Sequence, residues 1–138
     1  ITLYLAGRPL VARTVLWNLD LPGVTTPATV EFVRSLGKRN VKICLDTSHI
    51  LMAKESLGDI VAGIADEVGM VCLSVPKQDV YGQCFNAHDP VAGSRWETEV
   101  KALATVASTV APDAPLCLNA VYRDWDEIYS DIKRILPA

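Results

Sequence analysis

Several features are scarce in this sequence, and each scarcity excludes a class of protein. Basic residues do not predominate, since 13 Lys and Arg stand against 16 Asp and Glu, so no nucleic-acid partner is expected. No apolar run approaches the roughly 18 residues that a membrane-spanning helix needs, so no membrane partner is expected either. The four cysteines form no Cys-x-x-Cys pair, which argues against a zinc ribbon or a thioredoxin motif. We therefore expect reduced thiols in a cytoplasmic protein.

Length and composition indicate one globular domain. The chain has 138 residues, half of them hydrophobic, which is enough for a single domain with a core. We assign residues 1–138 to that domain. Because the chain begins at Ile1 and not at Met, we also expect it to be a processed protein or a fragment of a longer parent.

Hydrophobic periodicity predicts four strands, each followed in the chain by a helix. The predicted strands are 1–7, 41–46, 70–75 and 116–121, and the predicted helices are 26–40, 56–69, 95–110 and 125–136. The helix from Ser56 to Gly69 opens at a capping-box pattern, and the last helix carries Trp125, Ile128, Ile132 and Ile135. This order predicts an α/β fold of four parallel βα units, with the C-terminal strand ends on one rim.

Two segments lack this periodicity. Residues 8–25 are too apolar for a free loop and are expected to pack down on the domain. Residues 76–94 form the longest aperiodic stretch and contain His88. A loop of that length in a small domain is usually functional or mobile.

The stretch 41–50, VKICLDTSHI, places polar chemistry where a buried strand ends. Asp46 and His49 follow the apolar residues directly, as functional groups do at the C-terminal ends of parallel strands. An equally good interpretation is that Asp46 and Ser48 cap the next helix and that His49 merely lies in its first turn. Both interpretations stay open on this stretch alone.

Strand alternation brings further side chains to the same rim. Asp46 in one strand and Asn119 in another can face one pocket, with Cys44 and Cys117 in the layer beneath. The matching position in strand 70–75 is Cys72 or Ser74.

Three motifs resemble one known family. CLDTSHI, NAHDPVAGSRW and APLCLNAVYRDWDEIYSDIKRIL are similar, in order and spacing, to the C-terminal half of the xylose-isomerase-like TIM barrels. That group includes sugar isomerases and epimerases and endonuclease-IV-type enzymes. The resemblance implies half of a TIM barrel.

The resemblance also implies an eroded metal site. Asp46 matches a family ligand, whereas Cys72 and Asn119 stand where the family has His and Glu, and Ala6 replaces another Glu. The implied metal set is Asp46, Asn119 and Cys72, so binding of a divalent Mn, Mg or Zn ion is expected to be weak or absent. Both histidines of the chain, His49 and His88, fall on motif positions, and with Asp46 they form the implied catalytic set.

The expected function is that of a sugar isomerase or epimerase-like domain that acts on or binds a small carbohydrate or polyol. The alternative is a non-catalytic relative that serves as a small-molecule or protein-binding scaffold. The DNA-repair branch of the family is disfavoured, because it needs many His and carboxylate ligands. Four parallel strands cannot close a barrel, so self-association, which we favour, or a missing N-terminal half is expected to complete the sheet. In the third alternative, segment 8–25 covers the opening and leaves an open α/β sandwich.

Overall fold

The computed structural model of the protein describes residues 2–5, 8–9, 26–56, 60–61 and 63–137. Its strands are β1 (Thr2–Leu5), β2 (Arg8–Pro9), β3 (Val41–Asp46), β4 (Val68–Leu73), β5 (Val75–Gln78), β6 (Cys84–Asp89) and β7 (Leu116–Leu118). Five of them form one mixed sheet in the order β2-β1-β3-β4-β7. The other two, β5 and β6, form a separate antiparallel hairpin.

The prediction of four parallel βα units, and with it half of a TIM barrel, is wrong. Among the described strands of the sheet, only β3, β4 and β7 run parallel, whereas β1 is antiparallel to both β2 and β3. Only two residues separate β1 from β2, which allows a hairpin and excludes the crossover that a parallel pair needs. Apolar alternation has the same period in both strand directions, so the pattern could not distinguish them. Of the segment 8–25, residues 10–25 lie outside the described residues.

In the described part of the chain, four α-helices with both ends described cover one face of the sheet and its C-terminal rim. They are α1 (Thr26–Ser35), α2 (Thr47–Met52), α3 (Glu97–Val110) and α4 (Trp125–Ile135). The predicted helices near residues 26, 95 and 125 are therefore confirmed. Helix α1 packs on β3, α3 packs on β4, α4 packs on α3, and α2 packs against the β5–β6 hairpin. In the described part of the chain, no helix is both long and apolar enough to cross a membrane.

The core lies between the sheet and these helices. One face of the sheet contributes Ile43 and Leu45 from β3 and Val71 and Leu73 from β4, all buried. The helices contribute Val30, Val33, Val100, Leu103 and Ile135 to the same cluster. The opposite side chains of β3 and β4 therefore point to the other face of the sheet.

The strand predicted at 70–75 begins two residues earlier, at Val68. Gly69, which the sequence pattern assigned to a helix end, lies inside this strand, and residues 57–59 of the capping-box pattern lie outside the described residues. A Cβ atom added to Gly69 would lie 2.5 Å from Cβ of Lys42. Glycine is therefore needed at this position because it lets β4 approach β3.

The aperiodic stretch 76–94 contains the β5–β6 hairpin. The carboxylate of Asp79 accepts hydrogen bonds from the backbone N–H groups of Tyr81 and Gln83, and Gly82 has a φ of +83°. An Asx turn followed by a left-handed glycine closes a hairpin without needing any apolar periodicity.

Helix α4 buries a different face from the one its apolar residues predict. Ile135 is fully buried, but Trp125 is 73% exposed and Ile132 is 43% exposed. The carboxylate of Asp131, in contrast, is fully buried. The reason is that Asp131 accepts hydrogen bonds from the segment after β6.

Candidate metal centre

The C-terminal end of β3 places Asp46 at the rim of the sheet, where it has two roles. Its Oδ1 accepts hydrogen bonds from the backbone N–H groups of Ser48, at 3.0 Å, and His49, at 3.4 Å, and so caps α2. Its Oδ2 points elsewhere, and it lies 3.5 Å from Nδ2 of Asn119 and 4.0 Å from Nδ1 of His88. The capping interpretation is thus correct for Asp46 and wrong for Ser48, whose hydroxyl donates to Asn86. Oδ2 of Asp46 takes no part in the cap.

His88 is held in an unusual backbone conformation at the end of β6. Its φ is +51°, a left-handed value that costs a non-glycine residue about 1–3 kcal/mol and persists only where the surroundings impose it. The carbonyl of His88 accepts a hydrogen bond of 2.7 Å from the backbone N–H of Val121. That bond fixes the turn, and the imidazole then faces Asp46.

Both polar neighbours of His88 Nδ1 are hydrogen-bond donors. The hydroxyl of Ser74 lies 3.0 Å away and the Asn119 amide nitrogen 3.5 Å away. The same Asn119 nitrogen also faces the Asp46 carboxylate, which requires it to donate. Nδ1 of His88 is therefore assigned as the unprotonated nitrogen, and a metal ion bound to its single lone pair would replace these hydrogen bonds.

His49 is oriented by a second amide. Asn86 accepts a hydrogen bond of 3.1 Å from the Ser48 hydroxyl through Oδ1, so its Nδ2 must donate to Nε2 of His49, at 3.1 Å. Burial lowers the pKa of His49, although the nearby carboxylate of Asp46 opposes that shift. A lowered pKa keeps this imidazole neutral near pH 7, the form that a metal ion requires.

Asp46, His49 and His88 converge on one point. One ligand atom from each residue lies within 4.8 Å of the other two, and the two rings are 5.9 Å apart, tilted by 56°. Ligands about 2.1 Å from a metal ion are up to about 4.2 Å apart, so small side-chain rotations would close the set. The residues therefore fit a divalent transition metal. The expectation of a possible metal-binding site is confirmed by this group of three residues, which does not identify the metal.

The ligand set differs from the one that the family resemblance implies. That set contained Asp46, Asn119 and Cys72, and its lack of charge and ligands was the reason to expect weak binding. Cys72 lies opposite Asp46 in the β3–β4 register but is not in the converging group, and its thiol contacts the Cys44 thiol at 3.4 Å. Two imidazoles join Asp46 in its place, and imidazole favours Zn²⁺ or Fe²⁺ over Mg²⁺.

The layer beneath the centre is formed by thiols. The Cys44–Cys72 hydrogen bond lowers the pKa of Cys44 and raises that of Cys72. Burial raises the pKa of Cys117, which pairs with Cys72 across β4 and β7. The sequence correctly placed Cys44 and Cys117 on the same side of the sheet as Asp46.

Asp131 supports the turn that follows His88. Its buried carboxylate accepts hydrogen bonds from the backbone N–H groups of Val91, at 3.1 Å, and Ala92, at 2.6 Å, and from the hydroxyl of Tyr122, at 2.8 Å. These bonds tie α4 to the segment after β6. Asp131 therefore positions His88 through the backbone, although it does not contact the metal centre.

Sequence reasoning did not assign Asn86 or Asp131 to the site. Their partners are 37 to 40 positions away, and no local pattern reports a pairing at that separation. One signal was available for Asp131, since an acidic residue between Ile128 and Ile135 interrupts the face that a simple amphipathic helix would bury.

The site is open on one side. The side chain of His88 is 24% exposed, that of Asp46 is 8% exposed, and Asn119 is exposed. A small polar molecule could therefore reach His88 and Asn119, whereas Asp46 is buried beside them. The chain matches no protein-family model, no curated protein and no solved structure, so the functional argument rests on this geometry.

Proposed function

We propose that this protein holds a divalent transition metal with Asp46, His49 and His88 and uses it on a small carbohydrate or polyol, in the manner of a sugar isomerase or epimerase. The observation that carries the proposal is the convergence of one carboxylate and two imidazoles within 4.8 Å. Two histidines and a carboxylate, with further positions left for substrate, form a recurring catalytic ligand set. The resemblance of the CLDTSHI stretch to a strand of the xylose-isomerase-like enzymes supports the same reaction class.

The side chains around the ligand set suit a substrate with several hydroxyl groups. A bound metal ion would polarise a carbonyl or hydroxyl oxygen as a Lewis acid. Asn119 is exposed beside Asp46 and His88, and its amide can donate to a substrate oxygen. Ser74 is buried behind His88 and holds the ring in place.

Isomerisation and epimerisation also need a group that moves a proton at the carbon beside the carbonyl. His49 is the candidate, since burial lowers its pKa and leaves the imidazole neutral near pH 7. A neutral imidazole has one lone pair, so His49 acts as this base only where Asp46 and His88 hold the ion without it. In that role Nε2 of His49 would exchange its contact with Asn86 for the substrate proton. The variant His49→Gln distinguishes the two roles of this residue. If His49 is the base, the variant still binds the metal ion; if His49 is a ligand, the variant does not.

One observation favours the alternative of a non-catalytic binding scaffold. Among the described residues, the converging group contains a single carboxylate, so no second carboxylate is available as a base when Asp46 binds the ion. A scaffold would bind metal or a small polyol without exchanging substrate protons.

Two measurements test the proposal, and the first uses the metal-free protein. Calorimetric titration with Zn²⁺ and Mn²⁺ should show one binding site. Asp46→Asn and His88→Gln should each lower the affinity by at least about 100-fold, more than the loss expected when a residue that only hydrogen-bonds a ligand is replaced. Asp113→Asn, at an exposed turn far from the centre, is the control and should bind normally. Binding that survives in both site variants would overturn the metal assignment.

The second measurement distinguishes the enzyme from the scaffold. The metal-loaded protein is incubated with a panel of aldoses and ketoses in D₂O, and proton NMR follows deuterium entry beside the carbonyl. Exchange that is absent in Asp46→Asn and present in Asp113→Asn is the expected result. Metal binding without exchange on any substrate would support the scaffold instead.

A further inference from the structure

A cluster of sulfur atoms lies on the sheet beneath the metal centre, on the face opposite the apolar core. We call Cys44, Cys72 and Met70 the sulfur cluster. Sγ of Cys72 lies 3.4 Å from Sγ of Cys44 and 3.7 Å from Sδ of Met70. Cys44 lies opposite Met70 in the β3–β4 register, so two adjacent backbones hold the three sulfur atoms together.

The surroundings of the cluster differ from those of ordinary buried cysteines, which pack as small hydrophobic residues. Cys44 is buried, but Cys72 and Met70 are half-buried, and none of the three belongs to the apolar core cluster. The two thiols contact each other. Cys117, opposite Cys72 on β7, is exposed, so the cluster can be reached from the β7 edge.

We propose that the sulfur cluster binds a soft monovalent metal ion, Cu(I), with the Cys44 and Cys72 sulfurs and the Met70 thioether as ligands. Thiolate and thioether donors select Cu(I). Structural zinc requires four ligands in a tetrahedron, and hard cations require oxygen; neither condition is met by three sulfur atoms. On binding, the two S–H bonds break, both protons pass to solvent, two metal–thiolate bonds form, and no atom changes oxidation state.

The sulfur cluster and the candidate metal centre are separate sites. Cys44 and Asp46 are two residues apart on the same side of β3, which places them about 7 Å apart along the strand. Neither Cys44 nor Cys72 belongs to the group of ligand atoms that converges at Asp46, His49 and His88, so the two sites have different ligands. The inference does not depend on the proposed isomerase function.

The test is a competition titration of the reduced protein with Cu(I) supplied as its bicinchoninate complex. Transfer of one equivalent of Cu(I) to the protein is expected, with a new thiolate-to-metal absorption in the ultraviolet. Cys44→Ala and Cys72→Ala should each weaken binding by at least about tenfold, and Met70→Leu by a smaller factor. Cys84→Ala, in β6 and outside the cluster, is the matched control and should bind Cu(I) as the unmodified protein does.

A second measurement keeps the inference falsifiable where a variant is unstable. In the unmodified protein, Cu(I) should protect Cys44 and Cys72 from alkylation, read by mass spectrometry, and leave Cys84 reactive. Asp46→Asn should lose Zn²⁺ binding and keep Cu(I) binding, which separates failure of this inference from failure of the proposed function. The inference is wrong if the chelator retains its Cu(I), if Cys72→Ala binds normally, or if Asp46→Asn abolishes Cu(I) binding.

Discussion

The buried carboxylate of Asp131 offers the sharpest test of how the site is held. Asp131→Ala removes an acceptor that serves the backbone N–H groups of Val91 and Ala92 and the hydroxyl of Tyr122. Val91 is fully buried, so water cannot easily replace the lost partner. A hydrogen bond to a charged group contributes about 1.5–3 kcal/mol, and a buried donor left without a partner costs about 1–3 kcal/mol. We expect the free energy of unfolding to fall by about 3–5 kcal/mol.

A graded series of variants checks that magnitude. Urea unfolding followed by circular dichroism should show a lower midpoint with an unchanged slope, and the melting temperature should fall by about 10–15 °C. Tyr122→Phe removes one of the three bonds and should cost about 1 kcal/mol. Asp131→Asn keeps one carbonyl acceptor and turns an amide N–H toward the remaining donors, so its cost should lie between these values.

Asp126→Ala is the matched control, since Asp126 is exposed in the first turn of the same helix. It should cost no more than about 1 kcal/mol, the loss of a favourable charge at a helix N-terminus. If Asp131→Ala destabilises the protein no more than this control, the carboxylate does not anchor the turn after His88, and the reasoning fails.

Three further predictions follow from the same contacts. Asn86→Leu removes the donor that orients His49 and should weaken Zn²⁺ binding about 10–100-fold without unfolding the protein, which calorimetry and circular dichroism would check together; an unchanged affinity would contradict it. Thr47→Val breaks both hydrogen bonds between the buried Thr47 hydroxyl and the backbone of Ser74 and should lower the free energy of unfolding by about 2–3 kcal/mol. A loss under about 0.5 kcal/mol, the range of ordinary surface substitutions, would show that these two hydrogen bonds do not stabilise the fold. Burial and the hydrogen bond to Asp131 raise the pKa of Tyr122 above its usual value of 10.0, so the stabilisation that this tyrosine contributes is fully present below about pH 10 and is lost as the pH rises further. The free energy of unfolding should therefore fall more steeply at alkaline pH for the unmodified protein than for Tyr122→Phe. Equal slopes against pH would count against the raised pKa.

The elements that the sequence predicts well are those with strong local periodicity. Strand β3 and helices α1, α3 and α4 begin and end within a few residues of their predicted bounds. Alternation along β3 and along β7, which lie on either side of β4, also brings Asp46 and Asn119 to the same side of the sheet, and the two side chains are in contact. These features depend on residues two to four positions apart, which a sequence pattern records directly.

The errors lie in features that depend on distant parts of the chain. The direction of β1 is set by its pairing with β3, about 40 positions later, and no local pattern encodes it. The hairpin that carries His88 is closed by turn chemistry with little apolar alternation. Asp131 is buried because its partners lie across the domain, which reverses the face that the apolar residues of α4 suggest.

The central claim is that the ion at the strand ends is bound by a carboxylate and two imidazoles. Substitution of Co²⁺ into the metal-free protein tests it most directly, because the visible spectrum reports the ligand type. One bound equivalent is predicted, with d–d bands, no thiolate-to-cobalt charge-transfer band, and loss of the spectrum in His88→Gln. A strong thiolate band would instead assign Cys72 to the ion, and that band, or a spectrum that persists in His88→Gln, would contradict the account.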